Sequence, residues 1–439
     1  MKTFARCFAG AAALAITAGY AAAQDKAPIS WWYENASPAN QDHLKSLVEK
    51  AFNDANSGQQ LTIDFRGSEL DKQLRVAMLS GSGPDVVYTP GPSYVAAMAQ
   101  AGQLLPLDDY AASLGWNDRI LPVFLDLGTY AGKLYALPKT YETLGLFYNK
   151  TLFAEKGWTA PTTILELEAL ADKMLAEGMV PFGAGNADWR PTNEHYVSIV
   201  LNSIAGPDNM AKALNGEIPW TAPPFVNAID TLNKWWQAGY FGPDYFSLTG
   251  EQAFAQIATG KAGMAPTGTW NFANAQTYFP ANNAEPGFVG FPSAEGVPYP
   301  IYALGIGSTF SIAASSKNPD GAASVIDYVF SNDFYGTMNT VWQGEWNTPL
   351  KDLSGVKLGD GVMPLYGEVM ADLASSVNAN QYGYTTWTFL PPATNTYLVS
   401  GIEEVWLGQT TTQDFLAKLD ATFQQEKVEG KVPAIPPRN

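Results

Sequence analysis

Few residues in this 439-residue chain suit redox, metal or nucleophilic chemistry: there is one Cys, at position 7, and there are two His, His43 and His195. No HExxH is possible with them, and a His-rich metal site is not expected. His43 falls on a predicted helix with the core stripe Leu44, Leu47, Val48, Ala51 and Phe52, which makes it a solvated surface residue. No GxSxG elbow, Walker A loop or GxGxxG occurs, and Gly81-Ser82-Gly83-Pro84 breaks the dinucleotide pattern at its last glycine. The Ser354-to-Lys357 spacing lies in a Gly-rich loop, not at a helix start, so it does not suit a Ser-Lys nucleophile. The 42 Asp and Glu residues leave a glycosidase-like carboxylate pair open.

The richer chemistry is aromatic and polar, with 13 Trp, 21 Tyr and 22 Phe. Trp236 and Trp406, the latter with Leu398, Ile402 and Val405, sit on helical stripes and read as core. Trp31 and Trp32 alternate faces at a strand end, so one is buried while the Tyr33-Glu34-Asn35 turn faces a cleft. Trp116, Trp158, Trp220 and Trp235 lack polar company. Four settings differ: Trp189-Arg190, Trp270-Asn271, Trp342 to Glu345-Trp346, and Trp387 in the loop from Gln381. Each places an aromatic beside an amide, carboxylate, guanidinium or hydroxyl outside a helical stripe, where ligand binding competes evenly with loop packing. Glu34, Arg66 and Glu142 follow or interrupt apolar runs. Arg66 is the sharper case, at the carboxyl end of a predicted strand, although a surface salt bridge is the competing role. Asp85 in Gly-Pro-Asp reads as a backbone-bonding turn residue.

These residues must be positioned by something, and the chain supplies an α/β alternation. Lys2 and Arg6, a small apolar run from Cys7 to Ala18, and Ala21-Ala22-Ala23 make residues 1–23 a predicted secretory signal peptide, not a membrane anchor. Its removal leaves a chain without cysteine and with 23 basic against 42 acidic residues, net −19. That balance argues against nucleic acid and anionic membrane as partners. Strands are predicted at Ile29 to Tyr33, Leu61 to Phe65 and Asp85 to Tyr88. Helices follow each: one capped by Ser37 with Pro38 in its first turn, one opened by the capping box Ser68 to Asp71, and one from Ser93. This alternation predicts a parallel sheet with ligand loops at the carboxyl ends of its strands. Gly132 to Pro138 reads as an edge hairpin. Thr163 and Glu166 cap a helix, and another runs from Pro224 with Phe225, Ile229, Leu232 and Trp236 inward. Gly263 to Trp270 reads as a buried strand with a tight turn. Ile301 to Ala314 reads as a crossover too long for one strand, and Val432 to Asn439 as a frayed Pro-rich end.

Five segments occur in order: Ser80-Gly-Ser-Gly-Pro-Asp85, Gly132-Lys-Leu-Tyr-Ala-Leu-Pro138, Leu146-Phe-Tyr-Asn149 to Gly157, Gly260 to Met264 through Gly268-Thr-Trp270, and Ser315-Ser-Lys-Asn-Pro-Asp320. Together they resemble the extracellular solute-binding proteins of ATP-binding-cassette importers, in the oligosaccharide-binding branch that includes maltose-binding protein. One departure is Ile164, where the family often has an aromatic residue. The resemblance implies an α/β, two-lobed periplasmic-binding-protein fold with hinge crossovers and a ligand cleft between the lobes. The expected division is 1–23 signal peptide, 24–139 plus about 305–345 N-terminal lobe, and 140–304 plus about 346–439 C-terminal lobe.

It further implies a periplasmic monomer without catalysis, cofactor or metal. Its partners would be a di- or trisaccharide, an α-galactoside among the possibilities, and the permease subunits of an importer. Pyranose rings have apolar faces and hydroxyl-rich edges, so such a site needs flat aromatic platforms and in-plane donors and acceptors. The expected ligand set is Tyr33, Glu34, Arg66, Glu142, Trp189, Arg190, Trp270, Asn271, Glu345, Trp346 and Trp387. Cleft arginines and acids suit neutral hydroxyls better than an anion. A secreted glycoside hydrolase and a binding protein for a peptide or other solute are the alternatives.

Overall fold

The computed structural model describes residues 28–34, 36–89, 91–188 and 192–438. The predicted leader, and Trp189 and Arg190 of the expected ligand set, lie outside the described residues. Within them the strands run β1 (Ile29–Tyr33), β2 (Leu61–Phe65), β3 (Val86–Thr89), β4 (Thr129–Tyr130), β5 (Lys133–Leu134), β6 (Leu137–Glu142), β7 (Leu144–Asn149), β8 (Val180–Phe182), β9 (Ala262–Gly268), β10 (Pro286–Val289), β11 (Ala303–Ile312) and β12 (Gly383–Tyr384). One sheet has the order β12-β11-β3-β1-β2 with β6 also on β11, a second has β10-β7-β9-β8, and β4 pairs with β5 alone.

The first sheet is built by the predicted alternation. β1, β2 and β3 are mutually parallel, and helices separate them in the chain. After β1, the Ser37 hydroxyl accepts the Asn40 N–H at 3.3 Å and Pro38 occupies the first helical turn. The helix continues to Ala55 through a π-helical stretch at Leu44–Lys50, burying Leu44, Val48 and Phe52. The predicted Ser68 box is replaced by a 3-10 turn at Gly67–Glu69. Helix Leu70–Ser80 therefore starts without a side-chain cap, its first free N–H bonding back to Gly67. Asp85 does serve the backbone, accepting from Ser30 N–H at 2.9 Å and Ser30 Oγ at 2.8 Å. It also takes Ser316 Oγ at 2.6 Å, so two of the motif segments meet at this carboxylate.

Other expectations are changed by tertiary context. Ile301 to Ala314 is not too long for one strand: β11 is a single ten-residue strand, antiparallel to both β3 and β6. Its length is sustained because three partners share its edges. On helix Pro223–Gln237 the fully buried indole is Trp235, while Trp236 is half-buried and stacks on Trp406 at 4.6 Å and 5°. The Pro-rich tail is tied down, with Tyr382 and Tyr384 hydroxyls donating to the Pro437 and Pro436 carbonyls, each at 2.8 Å.

The two larger sheets join with almost no intervening chain. β6 ends at Glu142 in the first and β7 begins at Leu144 in the second. Thr143 between them accepts the Thr269 N–H at 3.0 Å. A return path runs from β10 to β11, and the segment at Asn347 docks on β6 through Tyr141 N–H at 3.0 Å and its own N–H to Thr140 Oγ1 at 3.1 Å. Trp31, Trp116, Trp220, Trp235, Trp346 and Trp406 are fully buried, which accounts for much of the tryptophan content. At roughly 25 cal/mol per Å² and about 150–250 Å² each, every one contributes about 4–6 kcal/mol before entropy is counted.

Candidate functional site

Where the two sheets face each other, the carboxyl ends of several strands converge on a cavity of about 330 Å³. From the first sheet come Glu34 just after β1, Glu142 at the end of β6, Gly307 of β11, and Glu345 and Trp387 from the later connections. Gly183, Ala184 and Gly185 after β8, and Thr267, Trp270 and Asn271 at the end of β9, come from the second. Asp188, helix Thr192–Val200 with Glu194 and His195, Gly250, Glu251, Phe254 and Asn274 complete the lining. Loops at the carboxyl ends of sheet strands are where open α/β folds place their ligands.

Local structure explains why these side chains can stand there. The Trp270 ring lies across Gly268, where a Cβ would come within 2.0 Å of it. On β11 a Cβ at Gly305 would meet both Glu142 and Trp387 at 3.0 Å, and one at Gly307 would lie 2.8 Å from Glu142 Oε2. The bare backbone of this Gly-Ile-Gly therefore leaves room for a carboxylate and an indole. Helix Thr386–Phe389, which carries Trp387, is pinned by Thr385 Oγ1 donating to Leu304 C=O at 2.9 Å and its Thr386 N–H donating to Ser198 Oγ at 2.8 Å.

The aromatic wall is a three-ring corner. Trp270 and Trp387 meet edge to face at 6.1 Å and 77°, and His195 packs against them at 4.8 Å and 5.5 Å. Beside Trp270, Asn271 Nδ2 donates to Thr267 Oγ1 at 2.8 Å and Asn274 Nδ2 to Asn271 Oδ1 at 2.9 Å, a polar rail in the plane a sugar edge would occupy.

The same cavity is lined by acids. Glu34 accepts a hydrogen bond from the Tyr88 hydroxyl, and Glu345 pairs with the ammonium of Lys139, which is fully buried. That ammonium also lies 4.4 Å above the Trp346 ring and 5.5 Å from Tyr88. Burial, opposed by Lys139, pushes the Glu34 carboxyl up to about 7. Glu142, 5% exposed, is pushed up to about 8 by burial and by the neighbouring Glu345. Across the cavity burial pushes Glu194 up to about 8, although Asn395 Nδ2 donates to it at 2.8 Å. Burial alone lowers His195 to about 3, so the imidazole is neutral.

Of the expected ligand residues, Glu34, Glu142, Trp270, Asn271, Glu345 and Trp387 line this cavity. Trp346 and Tyr33 do not reach it. Trp346 is 0% exposed, and Tyr33 stacks against it at 6.2 Å and 17°, because strand alternation turns Trp31 and Tyr33 together into the core. They form the floor under Lys139. Arg66 turns away instead, its guanidinium 4.0 Å over the Trp32 ring and 3.5 Å from Asp64. The competing surface salt bridge is where the structure puts it. Lys139, Asp188, Glu194, His195 and Glu251 were not anticipated. Glu194 and His195 could have been flagged by their place soon after Trp189-Arg190, whereas nothing local marks a lysine that will be fully buried.

Comparison with known proteins places this geometry. A family model described as bacterial extracellular solute-binding protein matches residues 35–334. An uncharacterized ABC transporter extracellular-binding protein of Pyrococcus horikoshii is 26% identical over 318 residues, 71% of this chain and 69% of that protein. A diacetylchitobiose binding protein of Streptomyces coelicolor is 25% identical over 60% of this chain and 58% of its own length. Among solved structures, a chitin oligosaccharide binding protein superposes with a TM-score of 0.78 at 21% identity, covering 92% of this chain and all of the other.

Proposed function

This chain belongs to the bacterial extracellular solute-binding protein family, whose members bind solutes and are not enzymes, and from that premise we propose that it captures a short saccharide and delivers it to an importer. The fold is the two-lobed α/β fold of solute-binding proteins. One observation carries the reading: the aromatic corner of Trp270, Trp387 and His195 lines a single cavity together with carboxylates and amides. A pyranose offers the matching surfaces, an apolar face for the rings and hydroxyls for the polar wall. The relative named for diacetylchitobiose supports a saccharide class. A volume of about 330 Å³ is at the small end of ligand sites, which run from about 300 to 1,000 Å³, and favours a di- or trisaccharide over longer chains. An α-galactoside is the first trisaccharide class to test.

The lobes of this reading divide at the chain passages between the sheets, near 140, 305 and 345, with 24–139 plus about 305–345 as one lobe and the rest as the other. A ligand touching both stabilises their closed arrangement by its differential affinity, and the membrane permease reads that state. Export through cleavage of residues 1–23, a periplasmic location and a monomeric state belong to the same proposal. Calorimetry of the mature protein against maltose, cellobiose, melibiose, raffinose and N,N′-diacetylchitobiose tests it. Binding tighter than millimolar by at least one is expected, a threshold of about 4 kcal/mol. Uniform failure to bind, by these sugars and by amino sugars alike, would refute the saccharide reading.

A further inference from the structure

The cavity gathers more carboxyl groups than hydroxyl recognition requires. Glu34, Glu142, Asp188, Glu194, Glu251 and Glu345 all line it. Among the described residues the one basic side chain that meets any of these carboxylates directly is Lys139, already paired with Glu345. Glu142 faces the cavity at 5% exposure with the Trp387 indole as its hydrogen-bonding neighbour and, among the described residues, no ion-pair partner. Glu194, equally buried, has the Asn395 amide and likewise no cation. Buried carboxylates without a counter-charge are costly, and Glu34, Glu142 and Glu194 respond by holding their protons up to near-neutral pH. His195, kept neutral, supplies no positive charge.

We propose that the bound saccharide carries a protonated amine, and that its ammonium group sits among Glu34, Glu142 and Glu345 beside the Trp387 ring. The inference rests on the saccharide reading above and adds the charge of the ligand to it. An ammonium donates three hydrogen bonds, which suits carboxylates arranged around it. The acids are spread around the walls: among the described residues no three His, Cys, Asp or Glu side chains are placed to hold a metal ion. Gly305 and Gly307 keep the Glu142 carboxylate in position by leaving β11 without side chains beneath it.

The test compares matched probes by calorimetry on the mature protein: glucosamine with glucose, galactosamine with galactose, and the deacetylated chitin disaccharide with cellobiose. Working at about pH 7 keeps most of the amine protonated, and capture of the ammonium then displaces the protons that Glu34 and Glu142 hold. The amine member of at least one pair should bind about tenfold tighter or more than its hydroxyl partner. Glu142→Gln, which preserves shape, should erase most of that preference. Hydroxyl members that bind as well as their amines, or better, overturn the charged-ligand inference and leave the saccharide reading standing. If no probe of either kind binds, and the neutral sugars named above fail too, both fall. The comparison within wild-type protein decides the matter even where the variant folds poorly.

Discussion

Lys139→Met tests whether one buried ammonium holds the acidic wall together. Methionine keeps the apolar stem among Tyr33, Tyr88 and Trp346 but removes the charge paired with Glu345. Removing one partner of a buried ion pair costs about 3–5 kcal/mol, because the other is left uncompensated. The size of the loss should depend on pH. Lys139 also lowers the proton affinity of Glu34 and Glu142, which nonetheless stand at about 7 and about 8. Above about pH 8 all the neighbouring carboxylates are charged and the full loss is expected. Near pH 5 Glu34 and Glu142 carry protons in the wild type, so the missing ammonium faces one carboxylate fewer on each side and the loss should shrink to about 2 kcal/mol, the worth of a charged hydrogen bond. The native variant also binds protons more tightly than the native wild type, so its stability falls more steeply as pH rises. Urea unfolding followed by tryptophan fluorescence at pH values near 5 and 8.5 measures both figures. Equal losses at the two pH values, or a loss under about 1 kcal/mol at the higher one, would refute the idea that Lys139 offsets this group of acids.

Glu142→Gln should melt at the wild-type temperature near pH 5 and above it at pH 8.5. The native carboxyl of Glu142 is raised from its ordinary 4.5 to about 8, so wild-type stability declines across that window and a residue that cannot ionise escapes the decline. Trp270→Ala should weaken ligand binding by about 30- to 150-fold with little loss of stability, since roughly 100 Å² of ring face is worth about 2–3 kcal/mol. Trp346→Ala, by contrast, should cost about 3–5 kcal/mol of stability, because its ring is core and not platform. Titration and thermal melts of the pair separate the two roles. Gly307→Ala puts a methyl 2.6 Å from Thr140 Cγ2 and 2.8 Å from Glu142 Oε2, so melting should report a loss of about 1–3 kcal/mol and calorimetry a weaker ligand.

Local sequence fixes β1, β2, the Ser37 and Thr163 caps and the alternation that makes a parallel sheet, because each depends on residues a few positions apart. Six of the eleven expected ligand residues, each an acid, amide or indole at the end of an apolar run or in a polar-aromatic loop, come together at the cavity. What remained hidden depends on partners far along the chain. Glu345 and Trp346 are neighbours with the same local signal, yet one faces the cavity and the other is sealed in the core beneath the Lys139 ammonium that pairs with Glu345. β11 could be ten residues long only once β3, β6 and β12 had edges to offer it. The acidic surplus was legible as solubility; that six of its members would face one small cavity, with a single buried lysine among the described residues to balance them, was decided by how the two sheets meet.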